Sequence, residues 1–251
     1  MIEATSQFQE VRQLIRKLFQ SGSPDCRLVR VKKNDYVYTC GERDAMIYSL
    51  DSGQVKEVLI SPEGKECLIA IHAAGDIFGE LSLGGQDLRF ETTVAMQDCT
   101  IRRIPSNAFV RQLERASLLH SLVQYLALRI ADQQEVITTL LTVNSEQRLA
   151  KTLLRLAKKI GQDNARGKLL THRLHHTELA EMVGTTRSRI GYFLKRFRDL
   201  GLIDLGPDHS LLVIEKKLAR YIEQFEFPFG RDIVNIEPEE TIVSKPLALV
   251  S

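Results

Sequence analysis

Between residues 27 and 104, short runs rich in Val, Ile and Tyr alternate with glycines at 41, 53, 64 and 75, spaced 12, 11 and 11 residues apart. No other feature limits the fold as much. The runs (28–31, 36–38, 47–50, 55–60, 68–71, 94–96 and 101–104) have strand length, and turn signals at this regular interval predict an antiparallel sandwich or barrel. A glycine at each turn supplies the positive φ that other residues resist.

The flanking periodicity is helical. Before the strands, Phe8, Val11, Leu14, Ile15, Leu18 and Phe19 step by threes and fours, predicting an amphipathic helix over 5–19. After them, Leu119, Leu122, Leu126, Arg129, Gln133, Val136, Leu140 and Val143 alternate steps of three and four. That is an a/d seam, read here as a dimer seam because polar a/d residues fix register or meet a ligand. Asn144, with Gln147 three residues on, reads as the cap of the next helix and as a domain boundary. Residues 161–167 read as a polar loop.

Residues 175–200 carry the pattern with the most chemical content. A short helix over 178–183 meets a Gly184-Thr185 turn and then a second helix. The apolar stripe of that helix is Ile190, Phe193, Leu194, Phe197 and Leu200; its other side presents Arg187, Ser188, Tyr192 and Lys195, flanked by Arg189 and Arg196. This is a helix-turn-helix, whose second helix enters the DNA major groove. Arg187, Ser188, Arg189 and Tyr192 are the expected base-side readers, and His176, Thr185, Thr186 and Lys195 the expected backbone contacts. Runs at 201–205 and 211–214, joined by 206–210, predict a β-hairpin wing.

Charge agrees with that placement. The formal net charge is +2, but residues 144–220 hold 16 Lys/Arg against 8 Asp/Glu, whereas 1–143 hold 16 against 18 and 221–251 hold 2 against 6. A basic module near the C-terminus points to nucleic acid. Composition, at 43% hydrophobic and 26% charged, is that of a globular chain with no apolar run of about 18–20 residues. The residues following Met1 show no secretory pattern, so a cytoplasmic protein with no membrane partner is expected. Cys26, Cys40, Cys67 and Cys99 form no CxxC pair and predict reduced thiols, with no metal site. No nucleophile elbow, Walker loop or zinc signature is present, so no enzyme is expected. Cys67 and His72 fit no sensor site; a buried cysteine and a turn histidine are expected there.

The blocks GDIFGELSL (75–83), QRLAKTLLRLAKK (147–159) and LAEMVGTTRSRIGYFLKRFRDLGLI (179–203), in this order and spacing, resemble the CRP/FNR family of bacterial transcription regulators over roughly residues 8 to 220. The resemblance implies an α+β chain: an N-terminal antiparallel β-roll or jelly roll of the cyclic-nucleotide-binding type, a long dimerisation helix and a C-terminal winged helix-turn-helix. The expected divisions are 1–116, 117–143, 144–220 and a C-terminal extension, 221–251, whose apolar pieces lie among acidic residues and prolines. It further implies a homodimer on a roughly palindromic duplex, with RNA polymerase as a partner.

In cyclic-AMP-binding members a Gly-Glu pair and a later Arg-Ser pair cradle the cyclic phosphate and ribose. Gly79 and Glu80 match, with Leu81 and Ser82 following; Arg89 matches, but Phe90 stands where the family has Ser. Gln133 and Gln134 stand where the seam helix offers Thr-Ser to the purine. The resemblance thus places an effector, cyclic AMP or another cyclic nucleotide, between Glu80 and Arg89, with no cofactor required. Two other readings stay open: a constitutive or otherwise triggered DNA-binding regulator with a vestigial pocket, and a cyclic-nucleotide regulatory subunit of another protein. Loss of the family activator's acidic and second basic readers, replaced by Ser188 and Tyr192, implies a different operator.

Overall fold

The computed structural model describes residues 2–64, 66–85, 87–206 and 209–224, with side chains from residue 11 onward. The apolar pieces read within 226–251 lie outside the described residues, as does the side chain of Phe8. Helix α1 (Ile2–Gln20) leads into eight strands: β1 (Arg27–Val31), β2 (Tyr36–Tyr38), β3 (Met46–Ser52), β4 (Gln54–Ile60), β5 (Glu66–Ala73), β6 (Ile77–Phe78), β7 (Thr92–Ala95) and β8 (Cys99–Pro105). They form two antiparallel sheets, in orders β1–β8–β3–β6 and β2–β7–β4–β5. The glycine rhythm has the expected cause, since Gly41, Gly53, Gly64 and Gly75 all have positive φ. At Gly53 space is also exhausted: a Cβ would stand 2.5 Å from Cys99 Sγ and 2.7 Å from the Asp98 carbonyl.

Helices α2 (Ser106–Arg115) and α3 (Leu119–Thr142) follow, then α4 (Ser145–Ile160), β9 (Gly161–Asn164), β10 (Gly167–Leu170), α5 (His176–Val183), α6 (Arg187–Asp199), β11 (Ile203–Leu205), β12 (Leu211–Val213) and α7 (Glu215–Glu223). Asn144 caps α4, its side chain accepting from Gln147 N at 3.0 Å. The stretch expected as a polar loop is instead the β9–β10 hairpin, which joins the wing in a sheet of order β11–β12–β10–β9. Its Gln162, Asp163 and Asn164 are exposed and pair through backbone, so no alternation of side chains announces the strand. Helix α7 crosses the division expected at residue 220 and packs Leu218 and Ile222 into the winged-helix core.

Three apolar clusters hold the chain together. Ile15, Phe19, Ile47, Ile77, Phe109, Leu113 and Tyr125 join α1, α2 and α3 to the roll. Val31, Tyr38, Tyr48, Leu50, Phe78 and Ile101 fill the roll itself. The third runs from Val58, Leu68, Ile71 and Met96 of the roll into Leu149, Leu153, Leu179, Ile190, Phe197 and Val213. Polar contacts bridge the same boundary: Lys56 Nζ to Glu178 Oε1 at 3.0 Å, Gln54 Nε2 to Thr171 Oγ1 at 2.5 Å, and Lys159 Nζ to Asp76 Oδ2 at 3.4 Å.

Three further expectations need correction. The seam of α3 does not present one face outward. Leu122 and Leu126 pack beside Tyr125 on the N-terminal core, and Arg129 turns to Glu80. The apolar residues of α3 most open to solvent are Val123, Ile130, Ile137 and Leu141. A helix gripped on one side and apolar on another writes both periodicities into one sequence. His72 is in β5, fully buried, rather than in a turn, and Cys67 is exposed while Cys99 is the buried thiol. Leu200, beyond the end of α6, is half-exposed and lies outside its buried stripe.

Asp76 at the β5–β6 turn carries a measurable consequence. Its carboxylate accepts from Ala73 N at 2.8 Å, pairs with Arg12 and lies near Lys159 and His72. Burial alone would raise its pKa; Lys159, His72 and Arg12 outweigh that and bring it down to about 2. A depressed carboxylate stabilises the fold above its unfolded pKa and loses that contribution as pH falls through the folded value. From pH 4 to pH 2, stability is expected to fall by about 2 kcal/mol through this group. Asp76→Asn should flatten that part of the curve; denaturant melts across the range that superimpose for both proteins would refute the assignment.

Candidate nucleic-acid interface and effector cassette

The basic interface is built on a turn. Gly184, at φ 66°, ends α5, and Thr185 N donates to the Ala180 carbonyl at 3.0 Å. Thr186 then caps α6, its hydroxyl accepting from Arg189 N at 3.4 Å and lying 3.1 Å from the Ser188 hydroxyl. Ile190, Phe193, Leu194 and Phe197 are buried. Arg187, Ser188, Arg189, Tyr192 and Lys195 are left on the solvent side, with His176 and Thr186 also exposed and Thr185 half-buried. A cleft at the start of α6 is lined by His176, Thr186, Arg187, Ser188 and Gly191. It continues past Arg173, His175, Lys195 and Arg198 to His209 beside the wing. Partial burial, with Arg187 and Arg173 nearby, holds the His176 imidazole below the usual histidine range.

Sequence reasoning missed the role of Arg148. Its guanidinium donates to the Val183 carbonyl at 2.7 Å, Gly184 at 3.2 Å, Val143 at 2.8 Å and Leu140 at 3.2 Å. It thereby ties the turn of the helix-turn-helix to the end of α3. Carbonyl partners leave no complementary charge in a sequence, so nothing there announces such an anchor.

In the roll, Gly79, Glu80, Leu81, Ser82, Arg89 and Phe90 surround the turn that follows β6. Gly79 has φ 78°, and a Cβ there would stand 3.0 Å from Arg89 Nη1 and 3.1 Å from the Met46 carbonyl. Glu80 and Arg89 do not pair with each other. Glu80 Oε1 takes Arg129 Nη2 of α3 at 2.7 Å. Arg89, 3% exposed, donates through Nε at 3.2 Å and Nη2 at 2.9 Å to Asp44 Oδ2, through Nη1 at 3.0 Å to the Gly79 carbonyl, and through Nη2 to the Met46 carbonyl. Its guanidinium also lies 4.2 Å from the centre of the Tyr38 ring. The Ser82 hydroxyl donates to the Gly79 carbonyl at 3.0 Å, with the Met46 carbonyl of β3 at 3.4 Å. Leu81 and Phe90 are more than half exposed, so the Phe90 ring lies at the surface. Gln133 and Gln134 are exposed on α3.

The rest of the interior is polar in a way the sequence did not suggest. His72 Nε2 lies 3.0 Å from Glu57 Oε2, and Tyr38 donates to Glu91 Oε1 at 3.0 Å. Glu57, His72 and Glu91 are all buried. Burial would raise the Glu57 carboxyl, but His72, with Arg129 and Lys159 beyond it, holds it below the ordinary range. Burial and the nearby Glu57 charge raise Glu91 instead. As folded, the cassette does not fit a cyclic phosphate: the guanidinium that would receive it already holds a carboxylate.

A β-roll joined through one long helix to a winged helix with an open, basic recognition helix defines a DNA-binding regulator with a sensor domain. The cyclic nucleotide-binding domain family matches residues 28–116, and the Crp-like helix-turn-helix domain family matches residues 147–221. The chain is 28% identical over 185 residues to the CRP-like cAMP-activated global transcriptional regulator of Mycobacterium tuberculosis, covering 73% of this chain and 83% of that protein. It is 27% identical over 186 residues to the global nitrogen regulator of Synechococcus elongatus, covering 73% and 84%. A solved CRP-family transcriptional regulator from Thermus thermophilus superimposes with a TM-score of 0.65 at 25% identity, over 78% of this chain and 96% of that one. The chain thus joins a cyclic nucleotide-binding domain to a Crp-like helix-turn-helix domain, in the order of the CRP-family regulators it resembles, and the relatives it matches are regulators rather than enzymes. No helix among the described residues is long and apolar enough to cross a membrane.

Proposed function

We propose that the chain is a homodimeric regulator that binds a roughly palindromic duplex, meets RNA polymerase there, and responds to a small effector at the Glu80–Arg89 cassette. The observation that carries the DNA reading is α6. Its apolar stripe is buried to the last residue of the helix core, while Arg187, Ser188, Arg189 and Tyr192 stand on the solvent side beside a capped N-terminus. Arg187 suits guanine, whose O6 and N7 take a guanidinium bidentately. His176, Thr185, Thr186 and Lys195 sit where sugar-phosphate contacts would set register. Two such helices across a two-fold axis would stand about 34 Å apart, one helical turn of DNA.

Selection of duplexes from a random pool, followed by titration at physiological salt, tests the reading. Arg187→Ala is expected to cost about 1–3 kcal/mol at the selected site and to relax one base position. Equal affinity of the unaltered protein for selected and random duplexes would overturn it.

For the effector, the family supports a cyclic nucleotide, and the retained Gly79, Glu80 and Arg89 support a phosphate-bearing molecule. The internal pairs Glu80–Arg129 and Arg89–Asp44 support a cassette closed at rest. A closed cassette supports weak binding of cyclic AMP.

A further inference from the structure

We propose that Asp44 is a tethered competitor for the phosphate seat: its carboxylate occupies Arg89, and a phosphate-bearing effector must displace it to bind. The inference rests on the reading of the Glu80–Arg89 cassette as the effector site.

The geometry is that of a filled anion seat. A guanidinium has five N–H donors. Four of those on Arg89 are committed, two to one Asp44 oxygen and one each to the Gly79 and Met46 carbonyls. A phosphate needs a pair of parallel donors from the fork, and the pair in use points at Asp44. The two carbonyls cannot leave without moving β3 and the turn after β6. Asp44 can, because it is held there by a side chain alone.

Its backbone stays in place whichever way the carboxylate turns. Asp44 N donates to the Asp87 carbonyl at 2.7 Å, Arg89 N to the Glu42 carbonyl at 2.9 Å, and Gly41 N to the Arg89 carbonyl at 2.8 Å. The strip between β2 and β3 is therefore laced to the strip that carries Arg89. The Asp44 side chain is also the more open partner, 16% exposed against 2% for Arg89. Tyr48, whose hydroxyl donates to Asp44 Oδ2 at 2.5 Å, holds the carboxylate in its resting position.

Charge reinforces the competition. With Asp44 paired to Arg89 and Glu80 to Arg129, both guanidiniums of the cassette are engaged, while the buried carboxylates Glu57 and Glu91 repel an incoming anion. An effector phosphate gains only the difference between its own contacts with Arg89 and those it removes. An internal carboxylate at contact distance has a high effective concentration, which lowers apparent affinity without changing the intrinsic site.

The test is calorimetric titration of cyclic AMP, cyclic GMP and inorganic phosphate into the full chain, at constant ionic strength, for wild type, Asp44→Asn and the double variant Asp44→Asn/Arg89→Lys. Asp44→Asn keeps the shape and an acceptor but removes the competing charge. It is expected to bind at least one probe tenfold or more tightly than wild type, with most of the gain lost in the double variant. Circular dichroism melts establish that each protein is folded, and Asp44→Ser provides a second neutral replacement should Asn pack poorly. Folded neutral variants with wild-type affinity for every probe would overturn the proposal. If wild type binds a probe tightly through Arg89 and neither neutral variant gains, the cassette is an effector site and only the competitor fails. If the gain in Asp44→Asn survives in the double variant, the anion sits elsewhere, and the cassette reading fails with it.

Discussion

Replacing Ile130 and Ile137 together by lysine is expected to turn the proposed dimer into a monomer at tens of micromolar, as read by light scattering. Both side chains are more than half exposed on α3, seven residues apart, and together with Val123 and Leu141 they form the apolar strip the roll leaves uncovered. In a two-fold interface the same strip meets its own copy, so each substitution places two ammonium groups in apolar contact. The winged helix is untouched, yet affinity for a palindromic duplex should fall by on the order of 10²–10⁴, because two linked half-site contacts become one. A folded double variant that remains dimeric would place the interface elsewhere. Leu126→Lys is not equivalent: Leu126 packs beside Tyr125 on the N-terminal core, and its loss would report on folding instead of association.

Arg89→Leu is expected to destabilise the roll by about 3–5 kcal/mol, the cost of removing one partner of a buried pair. The substitution leaves the Asp44 carboxylate without its counter-charge and takes one donor each from the Met46 and Gly79 carbonyls, which keep Ser82. The change should appear as a lower denaturant midpoint at an unchanged slope. A loss under about 1 kcal/mol would mean that water or a neighbouring cation replaces Arg89, and that the pair with Asp44 behaves as an exposed one. Asp44→Asn leaves the more deeply buried Arg89 guanidinium without its counter-charge, held only by two carbonyls, so it too is expected to lower the midpoint.

Much of the architecture was legible in residue order alone. Turn glycines declare themselves because only glycine takes positive φ cheaply, and those at 41, 53, 64 and 75 all do so. The helix-turn-helix was legible because a helix with one buried stripe must alternate at 3.6 residues, and Ile190, Phe193, Leu194 and Phe197 do. The caps at Asn144 and Thr186 followed from short polar side chains placed just before an apolar run. The β9–β10 hairpin was not legible, because its pairing is made by backbone groups that every residue carries.

What the sequence by itself determined was therefore periodic and local: the roll, the long helix, the winged helix, and the residue types at the cassette and the recognition helix. Only the tertiary structure decided who partners whom. Glu80 and Arg89 lie nine positions apart and carry opposite charges, yet each is taken by a residue from another element, Arg129 of α3 and Asp44 of the β2–β3 strip. Likewise α3 repeats its apolar residues along two stripes, and only packing against Tyr125 and the roll shows which is left open to solvent. The reason is physical: periodicity records that a side chain is buried, whereas an ion pair depends on distances of about 3 Å between segments whose separation along the chain carries no information about their approach.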